Sequence, residues 1–124
     1  AEAEGAARQP VDAHADWTGR PFVTLDPASA TDLDQAFLIE RAGGDLLLHY
    51  ALADIGWFVP AGGAMEAEAW RRGLTLYLPY GKARLYPPIL SENVASLLPD
   101  GPRPAIVVTV RCSPDGRVAL EDAV

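Results

Sequence analysis

Residues 46–54 (LLLHYALAD) restrict the possible folds more than any other part of the chain. The run is too apolar for an edge strand with one wet face, so it reads as a central strand. Residues 105–112 (AIVVTVRC) form a second strong strand. The turn SPDGR at 113–117 carries Asp-Gly, the dipeptide of tight hairpins, so 118–121 should pair back on it. RAGGD at 41–45 reads as another hairpin turn, joining 36–39 to 46–54. PFVTL at 21–25 and residues 75–78 are shorter strand candidates.

Helical signals fall between these runs. PAGG at 60–63 breaks the chain, and AMEAEAWRR at 64–72 has helical propensity with Gly73 as its stop. Glu68 and Arg72 sit four apart in the favourable order. Pro87 and Pro88 can start a helical turn running to about residue 98, with Ser91 and Asn93 as its caps. The sum is an α+β fold: a mostly antiparallel mixed sheet with short helices. Residues 1–20 are expected to be a lead-in without sustained period, and 21–124 the folded part. A last strand begins shortly before Val124 with no closing element after it, which reads as a domain cut short.

The 124 residues suit one modest core. With 49% hydrophobic and 22% charged residues, the composition is globular rather than disordered. A formal charge of −7 argues against a self-sufficient nucleic-acid binder, which is usually basic. It leaves room for an acidic enzyme whose carboxylates hold metal ions that meet a phosphate. The lone Cys112 cannot form an internal disulfide, which fits a reducing compartment and a cytoplasmic location. No apolar run is long enough for a transmembrane helix, and AEAEGAARQP lacks the pattern of a signal peptide.

The chemistry concentrates in DPASATDLD at 26–34. Asp26 precedes Pro27, which biases it to extended backbone. Asp32 and Asp34 are two apart, so an extended segment would project both to one face and turn Leu33 into the core. A bend returning Asp26 to that face would gather three carboxylates. Such a cluster needs a cation or raised pKa values, and Mg²⁺ suits oxygen ligands. Asp, Ser, Thr and Pro are also ordinary turn residues, so spacing alone leaves a plain acidic turn open.

The wording around these residues resembles a known family. FVTLDPASATDLDQA is similar to the signature of the RNB catalytic domain of ribonuclease II and ribonuclease R, whose aspartates hold catalytic metal. HYALADIGWFV, AEAWRRGLTLYLP and YPPILSENVASLLPDGPRPAIVVTV resemble further phrases of that domain, in the same order from about residue 17 onward. The resemblance implies a metal-dependent 3′→5′ exoribonuclease that hydrolyses single-stranded RNA processively to nucleoside monophosphates, as part of a longer catalytic domain. It implies Mg²⁺ as cofactor, with Mn²⁺ as a substitute, and single-stranded RNA as partner; the lack of a long apolar run adds the expectation of no membrane. The isolated piece is expected to be weak or inactive.

By the same resemblance Asp26, Asp32 and Asp34 are catalytic metal ligands. Gln35 stands where the signature has a fourth aspartate. Its carbonyl can bind Mg²⁺ but lacks the full negative charge. Gln35 and the short length therefore also support an alternative: a catalytically impaired RNA-binding or regulatory relative. Tyr77 aligns with a family tyrosine that stacks on the 3′-terminal base. Among Arg71, Arg72, Lys82, Arg84 and Arg103, which otherwise read as solvated charges, Arg72 and Arg84 are the RNA-contact candidates. His14 reads as surface, His49 as a satisfied structural histidine, Asp54 as a turn cap, Cys112 as a small buried residue, and Trp17, Trp57 and Trp70 as packing groups.

Overall fold

A computed structural model describes residues 1–124. Its elements run α1 (Glu2–Ala6), β1 (Gln35–Ala42), β2 (Asp45–Ala53), α2 (Ile55–Phe58), α3 (Ala64–Arg72), β3 (Leu76–Leu78), β4 (Gly81–Ala83), a π-helical turn Leu90–Val94, β5 (Ala105–Cys112) and β6 (Val118–Ala123). A four-stranded antiparallel sheet has the order β1-β2-β5-β6, and β3 and β4 form a separate two-stranded ribbon. The expected α+β class and the central position of the LLLHYALAD strand both hold.

The first hairpin turns through Gly43 and Gly44 alone, since Ala42 pairs with Asp45. Gly43 has φ 65°, a conformation that costs a side chain-bearing residue. Helix α3 ends at Gly73, also at positive φ, whose N–H reaches the Ala69 carbonyl at 2.8 Å.

In an antiparallel sheet, directly paired residues share a face. Ala36, Ala51 and Val107 are buried on one face of β1, β2 and β5, against Trp17, Phe22 and Leu97. His49 is buried on the same face, and its ring nitrogens meet Thr109 Oγ1 and Glu40 Oε2, each at 2.8 Å. It is the satisfied structural histidine expected. A second small core gathers Ala6, Phe58, Met65, Leu90 and Ala95.

Several expectations need correction. Residues 21–25 do not form a strand: only Val23 pairs, in an isolated bridge to Phe37, and Leu25 points into solvent. Within residues 1–20, α1 puts Ala6 into the second core. Ser91 and Asn93 make no side-chain cap to the π-helical turn, which starts after Ile89, and Ser91 Oγ instead donates to the Tyr86 carbonyl at 3.4 Å. His14 is half-buried rather than surface, edge-on to Trp57 and 3.2 Å from Asp54 Oδ2. Trp70 does not pack, being 82% exposed on α3. Cys112 is only partly buried, near the end of β5. Asp54 does cap α2, accepting from the Trp57 N–H at 3.1 Å.

Candidate active site: the carboxylate loop

Beyond the Val23–Phe37 bridge, the chain makes a turn closed by the Ala30 N–H on the Pro27 carbonyl at 2.8 Å, then straightens into residues 31–34. Ser96 pins this stretch. It is fully buried, its Oγ donates to the Thr31 carbonyl at 2.8 Å, and it accepts from the Leu33 N–H at 2.9 Å. The Leu97 N–H adds a bond to the Leu33 carbonyl at 2.8 Å, and the Ala53 N–H reaches the Asp34 carbonyl at 2.9 Å. Leu33 is buried, Asp32 is half-buried and Asp34 is exposed. The alternation expected of an extended segment is therefore present, with Leu33 inward and an aspartate on either side.

The β3–β4 ribbon closes over this loop. Tyr77 and Lys82 are directly paired across it, which puts both side chains on one face. Both reach the same oxygen, Asp32 Oδ2: the Tyr77 hydroxyl at 3.1 Å and the Lys82 ammonium at 3.0 Å. Lys82 also lies 2.5 Å from Glu92 Oε1, and Arg84 donates to both Glu92 oxygens at 2.8 and 3.3 Å. Asp32, Lys82, Glu92 and Arg84 thus form one chain of alternating charge. The Lys82 ammonium hydrogen-bonded to Asp32 holds that carboxyl below the usual range; burial opposes this and Tyr77 adds to it. Arg84 and then Lys82 do the same for Glu92. Glu92 and then Asp32 raise Lys82, and Asp32 raises the Tyr77 phenol.

Three of the expected site residues stand apart from that chain. Asp26 and Asp34 are exposed, and Gln35 opens β1, where its Oε1 accepts from the Tyr50 hydroxyl. No three His, Cys, Asp or Glu side chains gather as a metal ion requires. In this arrangement Asp32 is engaged by Tyr77 and Lys82, while Asp26 and Asp34 face solvent. The chemistry of the donor set still fits a hard divalent cation: three carboxylates and an amide oxygen within ten residues, with no thiol or imidazole among them.

Arg72 and Arg84 lie together. The Arg72 guanidinium donates to the Arg84 carbonyl at 2.8 Å and to Glu68 at 2.7 Å. With Lys82 and Tyr86 they line an open groove of about 480 Å³ between α3 and the ribbon. Arg71 pairs with Glu68, and Arg103 bonds the Ser96 carbonyl at 3.0 Å, so neither faces this groove. Sequence reasoning overlooked Ser96 and Glu92 and gave Lys82 no special role. The pairing of Tyr77 with Lys82 could not be seen without strand β4.

A profile of the RNB domain matches residues 14–122. The chain belongs to the RNB domain family. It is 40% identical over 105 residues to Exoribonuclease 2 of Erwinia tasmaniensis, covering 84% of this chain but 16% of that protein. RNase R of Mycoplasma genitalium in complex with ribose-methylated single-stranded RNA superposes with a TM-score of 0.83 at 25% identity, covering 98% of this chain and 20% of that one. The same enzyme in complex with double-stranded RNA gives 0.83 as well. This RNB chain thus spans about a sixth of the length of the curated relatives it matches. No helix in it is long and apolar enough to cross a membrane.

Proposed function

We propose that this RNB chain supplies the metal-binding loop and 3′-end platform of a 3′→5′ exoribonuclease that degrades single-stranded RNA processively to nucleoside monophosphates. The observation that carries the reading is the pinned stretch 31–34, which holds Asp32 and Asp34 on either side of a buried Leu33, beside the exposed ring of Tyr77. Phosphodiester hydrolysis needs a nucleophilic water, neutralised phosphoryl oxygens and a stabilised leaving oxygen. Bound Mg²⁺, or Mn²⁺ in its place, supplies that electrostatic chemistry.

The chain's own residues do the rest. Asp26 and Asp34 bear most of the metal binding, Asp32 takes a smaller share and orients a bound water or ligand, and Gln35 is a weak neutral ligand. Tyr77, 73% exposed, offers its ring to the terminal base, a contact that tolerates any base. Arg72 and Arg84 line the groove behind it and neutralise RNA phosphates.

Gln35 favours a second reading, that of an RNA-binding relative without turnover, because its carbonyl is engaged by Tyr50 and it brings no charge. Asp34→Asn separates the two. For a nuclease, shortening of 5′-labelled single-stranded RNA by the full-length protein in Mg²⁺ falls by about 10²-fold or more, while filter binding of the RNA is retained. Equal shortening by wild type and variant would remove the aspartate loop from the reaction. Tight RNA binding with no shortening by the wild type would favour the second reading.

A further inference from the structure

We propose that Lys82 is an internal cation that competes with a divalent metal for Asp32, and so sets how tightly the loop takes that metal. The inference rests on the metal-binding reading of the loop and adds to it a residue that the reading does not need. The Lys82 ammonium lies 3.0 Å from Asp32 Oδ2 and 2.5 Å from Glu92 Oε1. Within the linked group, the charges of Asp32 and Glu92 are balanced by those of Lys82 and Arg84. Asp32 therefore offers an arriving cation little net negative charge. Gln35 offers none, so the loop depends heavily on its remaining acids.

An ammonium beside a metal ligand also repels the metal directly. The geometry gives Lys82 somewhere to go. It sits on the two-stranded ribbon, which is not bonded into the four-stranded sheet, so a shift of the ribbon leaves the main ladder intact. Glu92 remains its partner when Asp32 is released. The ribbon also carries Tyr77, which bonds the same Asp32 oxygen. Metal entry at Asp32 and repositioning of the Tyr77 ring are thereby coupled.

Binding of Mn²⁺ to the 124-residue chain, read by electron paramagnetic resonance of the free ion and without RNA, tests this directly. Lys82→Met is expected to bind Mn²⁺ about two- to fivefold more tightly than wild type, the range set by one partly exposed ion pair. Lys82→Gln, which keeps a polar side chain without the charge, should move the same way, and Lys82→Arg should stay close to wild type. Far-UV circular dichroism establishes that each variant is folded. If wild type binds, Asp34→Asn does not, and both Lys82→Met and Lys82→Gln bind equally or more weakly, the competition is refuted while the metal loop stands. If neither wild type nor the neutral variants bind Mn²⁺, both the competition and the metal reading are overturned.

Discussion

Ser96 is the residue on which the geometry of the carboxylate loop turns. One buried hydroxyl donates to the Thr31 carbonyl and accepts from the Leu33 N–H, bridging a loop otherwise short of backbone partners. Replacing it with alanine removes one small group but leaves the buried Leu33 N–H and the Thr31 carbonyl without this partner. The cost of such orphaned groups is about 1–3 kcal/mol. Ser96→Ala is therefore expected to lower the unfolding free energy by that amount in urea titrations. It should also speed amide exchange at Leu33 more than at Val107 in β5. A stability unchanged within error would show that the loop is held by its other bonds, from Leu97 and Ala53. Sequence inspection gave no reason to single out Ser96, because a serine inside LSENVASLL looks like one more polar residue of a helical turn. Its importance comes from a partner 65 positions away.

At the level of elements, what could be read in advance follows the strength of the local signal. β2 and β5 were legible because long apolar runs leave a strand few alternatives, and α3 because its propensity and its Gly73 stop agree. β4 was not, since Gly-Lys-Ala carries no strand propensity and exists as a strand only by pairing with β3. The same limit hid the site's polar network. Asp32, Asp34 and Tyr77 were visible from their resemblance to family phrases, but the pairing that aims Tyr77 and Lys82 at one oxygen depends on a contact between separate segments. The ribbon also has a consequence for RNA. Its three-residue strands bury little, and the Tyr77 ring is free to accept a base without disturbing a core. Tyr77→Ala should weaken binding of a short RNA carrying 2-aminopurine at its 3′ end by about 1–3 kcal/mol, the worth of one stacked base. The urea midpoint should hardly move. A large loss of stability with unchanged RNA affinity would assign Tyr77 to packing.

The four-stranded sheet is lopsided. One face of the four-stranded sheet packs on Trp17, Phe22 and Leu97. The other presents Ile39, Leu48, Val110 and Leu120 in register across all four strands, with Leu46, Cys112 and Val118 beside them and Leu52 and Ile106 at the far end. Ile39, Ile106 and Leu120 are 55%, 47% and 70% exposed, an unusual density of apolar surface for one side of a small chain. Only 15 of 124 residues are buried, so the chain's own core is small beside that apolar face. The outer strand β6 compounds the problem, since every residue of it is exposed and its outer edge faces no other strand. The polar substitutions Ile106→Thr and Leu120→Ser, made together, should lower the apparent mass in concentration-dependent light scattering and reduce binding of a hydrophobic dye. They should cost under about 1 kcal/mol of stability, because both side chains already meet water and neither fills a cavity on folding. Retention of the wild-type scattering profile would locate any association elsewhere. A collapse in stability would mean that these residues contribute to the fold as much as the packed face does.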